Sequence, residues 1–373
     1  MNAGGDAGAF RRALELAARG GRFTAPNPRV GAVLVRGGRI VGEGWHRRAG
    51  EPHAEAIALD RAGEAARGAT LYVTLEPCSH EGRTPACARR IVAAGVARVV
   101  VGLVDPDPRV RGSGIRILEE AGLRVELVRG DLARAAEEML EDYLVHRRRG
   151  RAFLVHKVAA TLDGKIADRD GESRWITGEG ARERGRELRD RCGAVLVGAG
   201  TVLADDPVLL PPTREAEPPF LRVVLDGRLR VAPSARLFRE GPESPVVVCT
   251  TRAGLASGDP RPLALAGAEV LVLPAAGDDP FAVDPAALLA ELARRDVLGV
   301  LLEGGGVTAG RFHAAGLVDR VDWFLSPSVL GDPGARPAVL AGPRALGDRF
   351  PFRVAAVERV GDDIHVIARP VRP

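Results

Sequence analysis

Segments typical of strands alternate with segments typical of helices along the whole chain, and the alternation runs in two series. The first series begins with the amphipathic stretch AFRRALELAARG and ends near residue 146. The second begins with AFLVHKVAA, after the basic stretch HRRRGR at 146–151. Such alternation is typical of α/β folds with a largely parallel sheet, and 373 residues exceed what one hydrophobic core usually organises. We therefore expect two α/β domains, at residues 1–146 and 151–373.

The charge balance argues against a polyanionic partner. Lysines and arginines total 53 and acidic residues total 49, so the net charge is +4 and the surplus is diffuse. The one dense basic cluster, 146–151, is either a solvated segment between the domains or a nucleic-acid patch. Aromatic residues are not interleaved with it, as a stacking platform for bases would require. We favour the solvated linker and expect no nucleic-acid partner.

The chain also lacks the sequence signs of a membrane or secreted protein. No apolar run approaches the ~18 residues that would suggest a membrane span. Arg11 and Arg12 near the start are not followed by the apolar run of a secretion signal. We expect a cytoplasmic location, where cysteines stay reduced and act as thiols or metal ligands. Cys192 and Cys249 are expected in the core.

One histidine and two cysteines could form a metal site in the first domain. The stretch GEPHAEAIALD holds His53 and Glu55, and Cys78 and Cys87 follow in TLEPCSHEGRTPACARR. Three protein ligands leave a fourth zinc position open for water, which is typical of a catalytic site. Zinc would make that water a nucleophile, and Glu55 could carry its proton to a departing amine, as in zinc-dependent base deaminases.

Local helix signals around the second cysteine support this interpretation. Thr84 is predicted to cap a helix and Pro85 to occupy its first position, which would place Cys87 in the first turn, where a thiolate is stabilised. The main alternative is a structural zinc site on a non-catalytic scaffold, with His80 as the fourth ligand. Glu55 argues against that alternative, because a structural site needs no proton shuttle.

The first domain resembles a known enzyme family. The stretches TAPNPRVGAVLV, GEGWHRRAGEPHAEAIAL and YVTLEPCSHEGRTPAC are similar, in order and spacing, to the deaminase half of the bifunctional deaminase/reductase family of riboflavin biosynthesis. The resemblance implies a cytidine-deaminase-like α/β/α domain with His53, Cys78 and Cys87 on zinc and Glu55 as the catalytic proton shuttle. It also implies that Asn27 and His46 contact substrate, although from the residues alone Asn27 could equally turn the chain into a strand.

The implied reaction is hydrolytic removal of an amino group from 2,5-diamino-6-(5-phosphoribosylamino)pyrimidin-4-one, a small phosphorylated pyrimidine. Nucleic-acid deaminases usually carry a Pro-Cys-x-x-Cys pair, whereas eight residues separate the two cysteines here. The alternative function is a zinc-dependent nucleic-acid base deaminase whose second domain is an accessory binding module.

A glycine-rich segment stands out in the second domain. LGVLLEGGGVTAGRFHAAG reads as a strand, a glycine loop and a helix, so N–H groups at the helix start could bind a phosphate. A plain turn is the alternative, since no G-x-G-x-x-G fingerprint is present.

The second domain resembles the reductase half of the same family through KVAATLDGKIA, GESRWIT, GAGTVLADDP and LLEGGG. The resemblance implies a dihydrofolate-reductase-like α/β domain that uses NADPH to reduce the ribosyl group to a ribityl chain. The implied cofactor contacts are Ala159, Trp175, Thr201, Asp205, Gly305, Gly306, Val307, Thr308, Ala309 and Gly310. The implied substrate contacts are Ser173, Arg189, Leu209, Arg214 and Glu303. Asp205 is also expected to be catalytic.

Some of these residues have simpler alternatives. Trp175 could be a core residue, Arg189 could lie on a solvated helix face, and Asp205 could cap the following turn. The family tends to show an arginine soon after DDP, whereas here LLPPT precedes Arg214, which leaves open whether Arg214 reaches the substrate phosphate. We also expect the chain to form a homo-oligomer.

Overall fold

Strands and helices alternate through the first 150 residues of the computed structural model, which describes residues 5–79, 86–215 and 218–371. Contacts divide the chain into Met1–Gly150 and Arg151–Pro373. The helices of the first unit are α1 (Gly5–Ala17), α2 (Ala54–Ala62), α3 (Cys87–Ala93), α4 (Ser113–Glu120), α5 (Asp131–Met139) and α6 (Glu141–Arg149). Its strands are β1 (Gly31–Arg36), β2 (Arg39–Trp45), β3 (Thr70–Val73), β4 (Arg98–Val101) and β5 (Arg124–Leu127).

The sheet of the first unit has the strand order β2-β1-β3-β4-β5 and lies between two helical layers. Alternate strand residues face opposite sides, so Leu71 packs with α2 and α3, while the neighbouring Tyr72 packs with α1 and α5. The predicted α/β/α arrangement is confirmed. The prediction of a largely parallel sheet was wrong for half of this sheet, because β1 runs antiparallel to both β2 and β3. The tight turn at Gly37-Gly38 forces that direction on β2.

The basic stretch at 146–151 contains the boundary between the two units, and Arg148, Arg149 and Gly150 are exposed, as predicted for a solvated segment. Its first four residues form the last turn of α6, and Gly150 ends the helix in the left-handed conformation. Arg151 is buried, and its guanidinium binds the Asp319 carboxylate with N–O distances of 2.6 and 2.8 Å. The linker prediction is therefore wrong only for the helical conformation and for Arg151, because charge density alone does not reveal the partner of each arginine.

The second unit contains a larger sheet. Its strands are β6 (Phe153–Ala160), β7 (Lys165–Ala167), β8 (Ala194–Gly198), β9 (Leu221–Leu225), β10 (Val246–Thr250), β11 (Glu269–Val272), β12 (Gly299–Leu302), β13 (Arg320–Leu325), β14 (Arg336–Pro337), β15 (Phe352–Val360) and β16 (Asp363–Pro370). Its helices are α7 (Glu179–Arg191), α8 (Ala199–Asp205), α9 (Arg236–Arg239), α10 (Arg252–Ser257), α11 (Arg261–Leu265), α12 (Pro285–Arg294) and α13 (Gly306–Ala314).

Nine of these strands form one sheet in the order β11-β10-β9-β8-β12-β6-β13-β16-β15. The first seven are parallel, and β16 and β15 add an antiparallel hairpin at one edge. Central strands such as β8 and β10 are buried at every residue, because α12 and α13 cover one face of the sheet and α8 and α11 the other. The carboxyl ends of β8 and β12 lead directly into α8 and the glycine loop before α13. None of the described helices is both long and apolar enough to cross a membrane.

Candidate functional site

His53, Cys78 and Cys87 lie together in the first unit. His53 is the N-cap residue of α2, Cys78 follows β3, and Cys87 is the first residue of α3. The His53 Nδ1 atom is 3.6 Å from the Cys78 sulfur and 3.4 Å from the Cys87 sulfur. Tetrahedral zinc with ordinary Zn–N and Zn–S bonds would hold such atoms about 3.6 Å apart. The three side chains therefore fit a zinc ion without rearrangement, and within the described residues they form the one group of this kind.

The helix start around Cys87 differs in part from the sequence prediction. Cys87 does lie in the first turn of α3, but Ala86 holds the N-cap position. His80, Thr84 and Pro85 lie outside the described residues. The Cys87 N–H donates a hydrogen bond of 3.3 Å to the Cys78 sulfur, so the helix start helps to stabilise a thiolate there.

Hydrogen bonds within the cluster shift the pKa values of all three side chains. A hydrogen bond from Cys87, followed by one from His53, lowers the pKa of Cys78 to about 4. The same thiol pair and burial raise the pKa of Cys87, because its proton is the one shared with Cys78. The hydrogen bond to Cys78 raises the pKa of His53 to about 9. Metal binding would replace the His53 and Cys87 protons.

Glu55 lies in the first turn of α2, two residues after His53, and is buried. Burial raises the pKa of its carboxyl to about 7, against the opposing effect of His53. A group that exchanges a proton with a metal-bound ligand must lie beside the metal and be shielded from solvent. Glu55 meets both conditions.

Asn27 and His46 are brought together beside the same cluster. The His46 Nδ1 atom is 3.2 Å from the carbonyl oxygen of Pro52, which can only accept, so Nδ1 carries the proton. Nε2 is then the acceptor for the Asn27 amide, at 3.2 Å. Burial lowers the pKa of His46, and its ring makes an edge-on contact with His53, with centroids 5.3 Å apart. A neutral His46 thus fixes the Asn27 amide next to the metal ligands. If Asn27 served only to turn the chain, this contact would not be needed.

Glu76 was missed by the sequence analysis, although it directly precedes Pro77 and Cys78. Its buried carboxylate accepts four main-chain N–H bonds, from Asp105, Gly112, Gly114 and Ile115, at 2.9 to 3.2 Å. A Cβ on Gly114 would come within 1.9 Å of the Pro77 carbonyl oxygen, so this packing requires glycine. Glu76 therefore ties the segment before Cys78 to the loop that precedes α4. An acidic residue directly after an apolar strand was the available signal.

A cavity of about 1200 Å³ opens at the carboxyl ends of the parallel strands in the second unit. Single-ligand pockets usually measure about 300–1,000 Å³, so this cavity has room for a cofactor and a substrate. It is lined by every predicted cofactor and substrate residue of the reductase domain except Ala309 and Gly310.

Ala309 and Gly310 were predicted as cofactor contacts, but they face the interior. Ala309 is fully buried, and a Cβ on Gly310 would meet the Leu340 carbonyl oxygen at 2.0 Å. Gly310 is thus explained by packing of α13. Gly305, Gly306, Val307 and Thr308 do line the cavity, with Gly305 as the N-cap of α13. The exposed N–H groups of this helix start are suited to a phosphate.

Arg189 and Glu303 form a buried pair in the cavity wall. Arg189 donates to both Glu303 oxygens at 2.6 and 2.9 Å and to the Leu210 carbonyl oxygen at 2.8 Å. Burial alone would raise the pKa of Glu303, but the charge and hydrogen bonds of Arg189 outweigh burial and lower it. The alternative of a solvated Arg189 is excluded by this geometry.

Ser173, Trp175 and Asp205 lie on another part of the wall. Burial raises the pKa of the Asp205 carboxyl, against the opposing charge of Arg174 and a weaker effect of the Ser173 hydroxyl. The neighbouring Asp206 accepts the N–H of Arg236, the first residue of α9, at 2.8 Å. No such main-chain bond to the Asp205 carboxylate is found within the described residues. Trp175 is 71% exposed at the cavity rim, so it is not a core residue.

Leu209 and Arg214 border the cavity on the segment that follows α8. Leu209 has φ +63°, a left-handed conformation that leucine rarely adopts and that is enriched at functional sites. Thr213 hydrogen-bonds Asp190 near the end of α7 through its N–H and its hydroxyl, both at 3.1 Å. These two hydrogen bonds hold the next residue, Arg214, at the cavity, although the segment LLPPT separates it from the DDP motif.

Lys157 is a cavity residue that the sequence analysis missed. It lies on β6 two residues before Ala159, and burial lowers the pKa of its ammonium group, partly opposed by Glu303. The motif KVAATLDGKIA contained it, but a lysine within an apolar strand gives no sign of the direction in which it faces.

Comparison with known proteins assigns both units. A family profile described as "Cytidine and deoxycytidylate deaminase zinc-binding region" matches residues 5–103, and one described as "RibD C-terminal domain" matches residues 152–366. The chain belongs to the RibD family. It is 39% identical over 366 residues to riboflavin biosynthesis protein RibD of Escherichia coli (strain K12), covering 95% of this chain and 96% of the relative. The RibD protein of Aquifex aeolicus (strain VF5) is 38% identical over 355 residues, with coverages of 95% and 96%.

Solved RibD structures share the whole fold. RibD from Acinetobacter baumannii superposes with a TM-score of 0.84 at 35% identity and covers 99% of each chain. A diaminohydroxyphosphoribosylaminopyrimidine deaminase/5-amino-6-(5-phosphoribosylamino)uracil reductase from Thermotoga maritima gives 0.83 at 34% identity, covering 98% of this chain and 99% of the other. As a RibD protein, the chain is a bifunctional enzyme of riboflavin biosynthesis with a zinc-binding deaminase domain and an NADPH-dependent reductase domain. The predicted deaminase/reductase function is therefore confirmed, and the alternative of a nucleic-acid base deaminase is not supported.

Proposed function

We propose that the first unit hydrolyses the amino group of 2,5-diamino-6-(5-phosphoribosylamino)pyrimidin-4-one, and that the second unit reduces the ribosyl group of the product to a ribityl chain with NADPH. The observation that carries the first step is the His53, Cys78 and Cys87 cluster with Glu55 buried beside it. The second step is supported by the large cavity with its glycine loop and buried Arg189–Glu303 pair.

In the deaminase unit, His53, Cys78 and Cys87 would hold zinc, whose contribution is to make a water molecule nucleophilic at neutral pH. Glu55 accepts a proton from the attacking water and donates it to the leaving amine, so that ammonia departs and a carbonyl remains. The Asn27 amide, fixed by neutral His46, is placed to hydrogen-bond the pyrimidine. Each of these roles belongs to a side chain next to the ligand cluster.

In the reductase unit, NADPH would supply the hydride, and the protein would position it. The start of α13, at Gly305 and Gly306, is suited to the cofactor pyrophosphate, together with Thr201, whose hydroxyl lies beside Gly305. Trp175 and Ala159 line the remaining cofactor surface. Ser173 and Asp205 would orient the sugar, with the Asp205 carboxyl able to exchange a proton as the ring opens.

The substrate-binding part of the cavity is built by Arg189, Glu303, Leu209 and Arg214. The Glu303 carboxylate, held by Arg189, can accept hydrogen bonds from the amino and ring N–H groups of the pyrimidine. The strained backbone at Leu209 shapes the wall beside it.

The test is to incubate the zinc-loaded protein with the diaminopyrimidinone substrate, with and without NADPH, and to identify products by mass. We expect deamination without NADPH and the ribityl product only with it. Cys87→Ser should lose the zinc, whereas Glu55→Gln should keep it and lose deamination alone. Full zinc occupancy and activity in Cys87→Ser would contradict the assigned ligand set.

We further propose that the enzyme acts in the cytoplasm and as a homo-oligomer. The four free cysteines, two of them ligands, are compatible with a reducing compartment. Sedimentation of the purified protein over a range of concentrations tests the assembly, and a monomer at micromolar concentration would contradict it. Fractionation of cells that express the protein tests the location.

A further inference from the structure

One wall of the reductase cavity carries an excess of positive charge around α7. Arg182, Arg186 and Arg189 are spaced four and three residues apart, so they lie on one face of the helix, and all three line the cavity. Arg182 is already engaged by the Thr177 carbonyl oxygen and the Trp175 ring, and Arg189 by Glu303. Arg186 has no hydrogen bond or ion pair to any residue in 5–79, 86–215 or 218–371.

The surroundings of Arg186 are cationic. A Cβ on Gly185, the preceding residue, would meet the Lys157 side chain at 2.9 Å, so α7 passes directly over Lys157 there. Arg186 is close enough for its charge to oppose protonation of Lys157. Glu303 is the carboxylate next to Lys157 and Arg189, and Arg186 adds a further positive charge beside Lys157. A phosphate monoester carries about −1.5 to −2 at pH 7.

The other unpaired arginines of the cavity lie elsewhere. Ten arginines line the cavity, and besides Arg186 three others, Arg214, Arg228 and Arg336, lack a hydrogen bond or ion pair to the described residues. Arg228 lies over the Phe281 ring, 3.7 Å from its centroid. Arg336 lies against Gly171 and acts on the Asp205 carboxyl. Arg214 is tethered at the end of α7 through Thr213, on an exposed segment. Only Arg186 adds its charge directly to Lys157 and Arg189.

We propose that Arg186 binds the phosphate of the ribosyl substrate in the reductase cavity and makes the reductase selective for phosphorylated over unphosphorylated pyrimidine ribosides. This inference rests on the proposed function of the cavity. The chain lacks an arginine directly after DDP and has proline at positions 211 and 212. Arg186 supplies from α7 the guanidinium that this loop does not. The helix α7 holds it in position.

The test compares Arg186→Gln and Arg186→Lys with the parent, using Arg184→Gln as the matched control. Arg184 lies on the same helix but on another face, where it pairs with Glu187 and Glu358. The substrate is 5-amino-6-(5-phosphoribosylamino)uracil, and NADPH oxidation is followed. We expect Arg186→Gln to raise the KM for this substrate about 10- to 100-fold, as for loss of a charge-assisted hydrogen bond, with kcat within about twofold. Arg186→Lys should fall between, because lysine keeps the charge without the planar fork.

Specificity separates a phosphate contact from a merely structural role. The unphosphorylated riboside should be reduced equally poorly by parent and Arg186→Gln, and the KM for NADPH should not change. A KM increase for NADPH alone would assign Arg186 to the cofactor and overturn the proposal. So would an unchanged KM for the phosphorylated substrate, or an equal loss with the unphosphorylated one.

Direct binding distinguishes failure of this inference from failure of the proposed function. Ribose 5-phosphate should bind the parent and Arg184→Gln in titration calorimetry, ribose should not, and Arg186→Gln should weaken ribose 5-phosphate at least tenfold. If the parent binds ribose 5-phosphate through Arg186 but reduces no substrate, the proposed reaction is wrong and the phosphate site stands. If binding is unaffected by Arg186→Gln, the phosphate site is wrong.

Discussion

The Glu76→Gln substitution tests how the first unit holds Cys78 in place. One Glu76 oxygen accepts the N–H groups of Gly114 and Ile115, and the other accepts those of Asp105 and Gly112. Glutamine has the same shape but replaces one oxygen by an NH₂ group, so two buried N–H groups would face a donor. Each lost bond to a charged acceptor is worth about 1.5–3 kcal/mol. We expect the free energy of unfolding of this unit to fall by about 3–5 kcal/mol.

The loss should extend to the metal, because Pro77 and Cys78 directly follow Glu76. Urea unfolding of the zinc-loaded protein measures the stability change, and transfer of zinc to a chelator measures ligand retention. Glu119→Gln is the control, since Glu119 is exposed on α4. We expect faster zinc loss and weaker deamination in Glu76→Gln, with NADPH-dependent reduction of supplied intermediate unchanged. A stability change within about 0.5 kcal/mol of the control, the usual range for a surface substitution, would refute the reasoning.

Three further predictions concern the second unit. The buried Arg222 donates to four main-chain oxygens at 2.7 to 3.1 Å, so Arg222→Met should cost about 3–5 kcal/mol in urea unfolding, and a neutral result would contradict this. Arg151→Met removes the guanidinium from the buried Asp319 carboxylate and should cost about 3–5 kcal/mol, part of which a second change, Asp319→Asn, should restore in a double-mutant cycle. Burial lowers the pKa of His156 to about 3 and of His313 to about 4, from 6.5. Because the unfolded chain binds more protons between these values, stability should be full above about pH 6.5 and fall as pH drops towards 4. A flat profile across that range would show that the two rings are not buried in the neutral form.

Elements with a strong local pattern could be predicted from the sequence. The α1 segment repeats apolar residues at helical spacing, and the β8 and β10 segments are continuous apolar runs bounded by glycine or proline. For these elements the local preference and the tertiary environment agree. The strand β15 was not predicted, because its side chains are mostly exposed and its sequence FRVAAVERV shows neither a clear alternation nor a continuous apolar run.

The direction of strands and the partners of charged residues could not be predicted in the same way. The β1 strand is antiparallel to both neighbours. The Gly37-Gly38 turn explains its direction relative to β2, but no residue within β1 indicates its direction relative to β3. Arg151 looked like part of a basic linker, yet its partner Asp319 lies 168 residues later. Periodicity carries no information about pairs at such separations.

The two sites differ in how strongly chemistry restricts their residues. A zinc site needs a particular ligand set at particular distances, so His53, Cys78 and Cys87 could be predicted from residue types and short spacings before their geometry was known. A phosphate site needs positive charge and hydrogen-bond donors, which can approach the anion from several directions. The absence of an arginine soon after DDP therefore does not imply a missing phosphate site, because a helix face can supply the guanidinium instead. Gly185 packs against Lys157, and this contact brings the next residue, Arg186, to the cavity wall. The contact joins residues that are far apart in the sequence, so it is visible only in the structure.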